Sequence, residues 1–383
     1  MIRKTNIGIC IDNFMANGMR EGKHGVAIIV NDEICNTVGV FTRNNMASPS
    51  VLLTKNRIKN GIKAVIVNSG NANALVKDGI NDARKISEIL GRELGIDPKN
   101  IAIASTGITG RRLEVKVIER LIRKVIPGIS NSAESSKRAA EAIMTTDKRV
   151  KQISFEYKGI EIGGICKGAG MIAPELATML CFLTTNADLK REELQDSLNK
   201  AVEESFNMLV IDGDMSTNDT ILLMSNRKRR CRKRDFQVLL NYSTKELAKM
   251  IAMDGEGSTK FIEVEVRGAK RKEDAKKGAK AVVSSNLVKT AIYGENPNWG
   301  RILASIGSKI RFRFDRVDII LKSKKRSAII LEKGEVKDLN SARRILRNKR
   351  LRIVVNLNSG KESAIAYGCD LTPEYVRINA GYN

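Results

Sequence analysis

Short apolar runs alternate along this chain with segments whose apolar residues return every three or four positions. That alternation limits the fold more than any other feature. The runs at 25–30 and 37–42, at 64–69, at 101–104, at 179–183 and at 220–224 read as strands. Helical spacing appears at 81–94 (Ala83, Ile86, Ile89, Leu90, Leu94), near 114–125 and near 134–144. It returns after Asp188, an expected N-cap with Glu192 and Glu193 in the first turn. There Leu194, Leu198, Val202 and Phe206 form one buried face. A further helix is expected at 244–253, and residues 261–266 alternate as a half-buried strand does. Such a chain is α/β. At 383 residues it is also too long for a single hydrophobic core. The composition shifts near 262, so the expected division is a main domain over 1–261, a smaller α/β domain over 262–356 and a tail over 357–383.

Several function classes fall away on composition. No apolar run approaches the roughly 20 residues of a membrane span. The start is interrupted by charges and glycines before Asp12, unlike a signal peptide, so a cytoplasmic location without membrane partners is expected. The six cysteines are scattered without a C-x-x-C pair, which argues for reduced thiols and against a zinc site or disulfide scaffold. His24 is the one histidine, in an expected loop over 21–25, so an acyl-transfer catalyst here would use some other general base. The net charge of +24 is the main rival signal, because it would suit nucleic acid. Only one dense block exists, residues 227–234, and no aromatic residues interleave with it. A solvated loop is the expectation there, and no nucleic-acid partner.

Among motifs, Gly168-Ala-Gly-Met-Ile-Ala173 fits a dinucleotide fingerprint with Asp188 twenty residues beyond the first glycine. Pro174 follows at once and a strand-like run comes next, where the fingerprint requires a helix. The acidic loop Asp212-Gly-Asp-Met-Ser-Thr-Asn-Asp219 lacks the glycine and glutamate of a calcium loop, and no metal is expected. Its side chains are expected to bond their own backbone in turns. What is left is a set of polar tips: Asn71-Ala-Asn73, Thr106-Gly107, Thr145-Thr146, Thr178 and Glu256. Taken singly, each reads as a turn; Thr178 reads equally as a nucleophile between a glycine-rich turn and a core strand. Together they supply what acyl transfer without histidine needs, namely a hydroxyl, oxyanion donors and charges for substrate.

The ordered motifs Val40-Phe-Thr-Arg-Asn44, Val67-Asn-Ser-Gly-Asn-Ala-Asn73, Ser105-Thr-Gly-Ile-Thr-Gly110, Met144-Thr-Thr-Asp147, Lys167-Gly-Ala-Gly170, Ala177-Thr-Met-Leu180, Asp212 to Asp219, Asp254-Gly-Glu-Gly257 and Tyr293-Gly-Glu-Asn-Pro-Asn-Trp-Gly-Arg301 cover nearly the whole chain. This set resembles the ornithine acetyltransferases (glutamate N-acetyltransferases) of arginine biosynthesis, whose nucleophile is an N-terminal threonine. The resemblance implies a layered αββα-type sandwich, self-cleavage between Ala177 and Thr178 into chains 1–177 and 178–383, and an (αβ)2 heterotetramer. It implies acetyl transfer from N2-acetylornithine to glutamate through an acetyl-Thr178 ester, in a ping-pong cycle without a cofactor. It leaves open whether acetyl-CoA is a second donor. By the same resemblance, Thr106 and Gly107 stabilise the oxyanion. Lys167, Thr145 or Thr146, Glu256 and Asn379 bind substrate, the last from a tail that returns to the active site. Two departures are visible. Lys148 stands where a threonine is usual, and the chain stops at Tyr382-Asn383, short of the usual hydroxyl residue. The rival readings are an N-terminal-nucleophile peptidase and a basic nucleic-acid-binding protein.

Overall fold

A computed structural model of the protein describes residues 1–172 and 179–381. The architecture is mixed α/β in two compact units. The first is built from residues 1–168, 179–203 and 215–247, the second from 169–172, 204–214 and 248–381.

A nine-stranded sheet organises the first unit. Its order is Arg3–Lys4, Lys151–Tyr157, Ile160–Lys167, Leu180–Asp188, Thr220–Arg230, His24–Phe41, Ile62–Ser69 and Ile101–Ser105, with Met15–Glu21 also paired to His24–Phe41. The two strands expected at 25–30 and 37–42 are one strand of 18 residues that begins at His24, where a loop was expected. Its first half pairs with Ile62–Ser69 and its second half with Thr220–Arg230, and the register shifts between Val30 and Cys35. The polar residues Asn31, Asp32 and Glu33 occupy that irregularity, and Asn31 Oδ1 accepts the Glu33 N–H at 3.1 Å.

That long strand lets the sheet fold over on itself. Ala27, Ile29, Val65, Val67, Ala102 and Ala104 share one core with Leu180, Phe182, Leu222 and Met224. The alternate residues Val26, Ile28, Ala64, Ile66, Ile101 and Ile103 face outward, onto the helices Gly79–Leu94 and Val115–Val125. Period-two alternation thus makes both faces apolar, as a sandwiched strand requires. Helix Arg191–Glu203 lies over the other half of the sheet, where Gln195 bonds both the Gly39 N–H and C=O. Helix Lys233–Ala252 joins it, with Tyr242 edge-on to Phe155 at 4.9 Å. The layering is therefore αββα.

Three expectations need correction. Asp188 ends strand Leu180–Asp188; the following helix is closed instead by Glu193, whose carboxylate accepts the Lys190 N–H at 3.1 Å. The basic block is not a loop, since 227–230 finish strand Thr220–Arg230 and Lys233 begins a 20-residue helix, where a helix over only 244–253 was expected. Strands Met15–Glu21, Lys151–Tyr157 and Ile160–Lys167 were not anticipated. Glycine hides the last: a Cβ at Gly163 would sit 2.4 Å from the Gly8 carbonyl oxygen.

The second unit has a seven-stranded sheet in the order Glu335–Val336, Ser327–Glu332, Asp318–Lys322, Arg350–Asn356, Phe261–Ala269, Glu362–Cys369, Leu209–Val210. Ile262, Val264 and Val266 face a core filled from helices Lys272–Ser284, Asn286–Tyr293, Trp299–Gly307 and Leu339–Leu346. Glu263 and Glu265, on the opposite face, pair with Arg352 at 3.2 and 2.8 Å. Glu362–Cys369 lies inside this sheet, so the chain beyond 357 is not a separate tail, and residues 248–261 also belong to this unit. Among the described residues no helix is long and apolar enough to cross a membrane.

Candidate active site

Strand ends converge in the first unit. Lys167 closes strand Ile160–Lys167 directly opposite Leu180, and Leu180 is level with Thr220, which is level with Phe41. On the folded-over half, Asn68 and Ser105 are neighbours at the ends of their strands. The loop just before Thr220 connects these ends. Asn218 Nδ2 donates to the carbonyls of Ala72 and Ser105 at 2.6 and 2.8 Å. Asp219 Oδ1 accepts the Met179 N–H at 3.0 Å, and its carbonyl accepts the Thr42 N–H at 3.0 Å. Two consecutive residues therefore hold the segment entering Thr106 and the segment leaving Thr178.

Thr106 and Gly107 follow strand Ile101–Ser105 at once. The Thr106 N–H donates to the Asn68 carbonyl at 3.0 Å, which commits that amide and leaves its buried hydroxyl and the Gly107 N–H as the groups available to an oxyanion. Gly107 has φ +127°, and a Cβ there would meet Gly70 C at 2.4 Å and Asn71 N at 2.5 Å, so only glycine fits. Asn71 fixes the facing loop. It donates to the Arg111 and Arg112 carbonyls at 3.0 Å each, and its Oδ1 accepts the Asn73 N–H at 2.8 Å.

Next to Lys167 lies a buried charge cluster. Asp147 Oδ1 accepts from Lys151 Nζ at 2.6 Å and from the Gly168 N–H at 2.7 Å, while Oδ2 accepts the Thr145 N–H at 3.1 Å. Burial on its own would raise the Asp147 carboxyl. The charges of Lys167 and Lys151, with the Gly168 and Lys151 hydrogen bonds, outweigh it and bring the carboxyl down to about 2. Thr145 and Thr146 are half-buried in the bend that Asp147 ties to Gly168. Lys148 is exposed beside that tie.

In the second unit, Glu256 and Asn379 meet. Asn379 Nδ2, on helix Pro373–Ala380, donates to Glu256 Oε2 at 2.9 Å and to the Tyr375 carbonyl at 3.0 Å. The Glu256 N–H donates to the Ala169 carbonyl at 2.8 Å, and the carboxylate lies so close over Gly170 that a Cβ there would fall 2.2 Å from Oε2. Asp212 fixes the neighbouring backbone, accepting the Met171 and Ile172 N–H groups at 2.6 and 2.7 Å and the Tyr375 hydroxyl at 3.2 Å. Burial raises the Asp212 carboxyl, and these bonds work against that.

Ala177 and Thr178 lie outside the described residues, as do Tyr382 and Asn383. The sequence reading missed the carboxylates to either side, Asp212 at 171–172 and Asp219 at Met179. It assigned their loop to turns bonded on themselves. Such bonds do occur there, from the Asn218 N–H to Ser216 Oγ at 3.1 Å and, weakly, from the Asp214 N–H to Asp212 Oδ1 at 3.4 Å. Asp147 and Lys151 were missed too, although Asp147 stands in a quoted motif. His24 makes a contact with Glu114 at 3.3 Å.

The ArgJ family model matches residues 13–383. The chain belongs to the ArgJ family. It is similar to the glutamate N-acetyltransferase of Methanothermobacter thermautotrophicus, 43% identical over 98% of this chain and 97% of that protein. It is equally similar to the Methanocaldococcus jannaschii glutamate N-acetyltransferase, 43% identical over 96% of both. Among solved structures, the arginine biosynthesis bifunctional protein of Bacillus halodurans is 39% identical, covering 52% of this chain and 98% of that one with a TM-score of 0.49. Membership in the ArgJ family places the protein among the transferases of arginine biosynthesis.

Proposed function

We propose that the protein transfers the acetyl group of N2-acetylornithine to glutamate, with Thr178 as nucleophile after the chain cuts itself between Ala177 and Thr178. The observation that carries this reading is the pair Asn218–Asp219, which ties Ser105, the residue before Thr106, and Met179, the residue after Thr178, to one loop. Cleavage would give Thr178 a free α-amine with an ordinary pKa of about 7.7–8.0, a base already attached to the nucleophile. That amine takes the Oγ1 proton as the hydroxyl attacks the acetyl carbonyl. The Thr106 hydroxyl and Gly107 N–H receive the oxyanion, and ornithine leaves with the proton. Glutamate then enters and takes the acetyl group from the ester in the second half of a ping-pong cycle.

Lys167 is the partner for a substrate α-carboxylate. It lies beside the Asp147–Lys151 ion pair, and its charge helps to hold the Asp147 carboxyl down. Glu256, held by Asn379, suits the substrate's side-chain ammonium, and by the family resemblance Thr145 or Thr146 binds substrate. The assembly is read as (αβ)2. Intact-mass measurement of the purified protein tests the scheme: chains ending at Ala177 and starting at Thr178 are expected, and T178A should stay whole and inactive. An uncut, active wild-type protein would overturn it. Glutamate acetylation from acetyl-CoA without acetylornithine decides the second donor. We expect none, so that the enzyme only recycles acetyl groups.

A further inference from the structure

Behind Thr106 and Gly107 lies a buried group of hydroxyl and amide side chains that takes no part in the chemistry itself. Asn68, Ser105, Ser50 and Asn73 are each at most 3% exposed, and they bond to one another. Asn68 is the hub. It stands near the end of strand Ile62–Ser69, level with Ser105 at the end of the next strand. Its backbone carbonyl accepts the Thr106 N–H at 3.0 Å. In its side chain, Oδ1 accepts the Ser105 hydroxyl at 2.6 Å and Nδ2 donates to the Asn71 carbonyl at 2.8 Å.

Elementary donor chemistry fixes the direction of these bonds. A backbone carbonyl only accepts, so the Asn68 nitrogen faces Asn71 and its oxygen faces Ser105. The Ser105 hydroxyl gives its proton to Asn68 and so receives one from Ser50, whose oxygen is 2.7 Å away. Ser50 in turn accepts a long bond from Asn73 Nδ2 at 3.4 Å, and the Asn73 N–H returns to Asn71 Oδ1 at 2.8 Å. The bonds run one way, from Asn73 through Ser50, Ser105 and Asn68 to Asn71, and close on the loop where they start. Such a ring reinforces itself, because each bond polarises the next.

Gly107 is bracketed by that ring. Asn71 bridges to both Thr106 and Ile108, the residues on either side of Gly107. The Gly107 backbone rests on the Gly70–Asn71 peptide so closely that no Cβ fits between them. We propose that Asn68 is the positioning residue of the oxyanion site, its side-chain amide setting where the Gly107 N–H and the Thr106 hydroxyl point without touching substrate. This rests on the reading of Thr106 and Gly107 as oxyanion donors. The Asn68 oxygen holds the strand end that leads into Thr106, and its nitrogen holds the turn against which Gly107 lies. Oxyanion donors lower a barrier only when their direction is fixed before the charge develops, and a misplacement of about 1 Å can cost about 100-fold in rate.

The test compares kcat and KM for acetylornithine in wild type, N68L and T106V, with kcat counted per cut chain by intact mass. Leucine matches asparagine in shape but bonds neither Ser105 nor Asn71. N68L is expected to lower kcat about 100-fold while KM stays within about two-fold of wild type, since the lost stabilisation belongs to the transition state alone. A wild-type kcat in N68L, or a loss carried by KM, overturns the proposal. T106V separates that failure from failure of the oxyanion reading, because wild-type turnover in T106V would overturn the reading itself. If N68L fails to fold or to be cut, S105A decides, since it removes only the arm to the strand end. Its kcat is expected to fall about ten-fold at unchanged KM, and an unchanged kcat overturns the proposal.

Discussion

At the scale of single residues, the Asp147 cluster makes a prediction with a definite sign. The carboxyl sits at about 2, below its ordinary value of 3.8, so its contribution to stability is whole above roughly pH 5 and is lost as pH falls toward 2. That shift corresponds to about 2 kcal/mol. Removing the charge is worse than titrating it, because Lys151, buried and 2.6 Å from Asp147 Oδ1, would lose that ion pair. D147N is expected to lower stability by roughly 3–5 kcal/mol, and denaturant unfolding at pH 7 would measure it. A loss under 1 kcal/mol would mean that water reaches the cluster. Glu256 behaves differently, since it is placed to meet substrate. E256Q should raise the KM for acetylornithine roughly ten-fold or more, the value of a charge-assisted hydrogen bond, with the fold unchanged.

At the scale of elements, the glycines beside the site are fixed by the neighbours they admit. G170A should displace the Glu256 carboxylate, raising KM much as E256Q does; unchanged kinetics would place the functional Glu256 rotamer elsewhere. This scale also shows what could be read from the chain. Strands with strong apolar runs, such as Ile101–Ser105 and Ile62–Ser69, were legible, as was helix Gly79–Leu94 with its regular spacing. The interrupted elements were not. Asn31-Asp32-Glu33 split one strand into two apparent ones, and the basic run masked the first half of helix Lys233–Ala252. In the site, Thr106, Gly107, Lys167, Glu256 and Asn379 came from family motifs, because nothing local distinguishes them from turn residues. Asp219 was passed over for the converse reason. Its acidic loop looks self-contained, and only the pairing of Thr220 with Leu180 reveals that its carboxylate faces Met179.

At the scale of the whole molecule, the charge of +24 must coexist with a stable fold. The basic block shows how part of it is managed: Lys228 pairs with Glu33 at 2.8 Å, Arg232 with Asp235 at 3.2 Å and Lys233 with Asp196 at 2.5 Å. These are largely exposed pairs, each worth little, and the chain has 67 Lys and Arg against 43 Asp and Glu. Long-range self-repulsion should therefore outweigh the local attractions. At 0.15 M salt the screening length is about 8 Å, shorter than most of the repulsive distances but longer than the contact pairs. Raising salt from about 0.02 to about 0.3 M should raise the melting temperature, by a few degrees on the order of 1 kcal/mol. A melting temperature that falls over the same range would show that the surface pairs, not the excess charge, dominate. The same excess will attract polyanions without selecting among them. Any nucleic-acid affinity should collapse along a steep log–log salt slope and show no preference for sequence. Binding that survives at 0.3 M salt would reopen the basic run Arg227 to Arg234 as a specific interface.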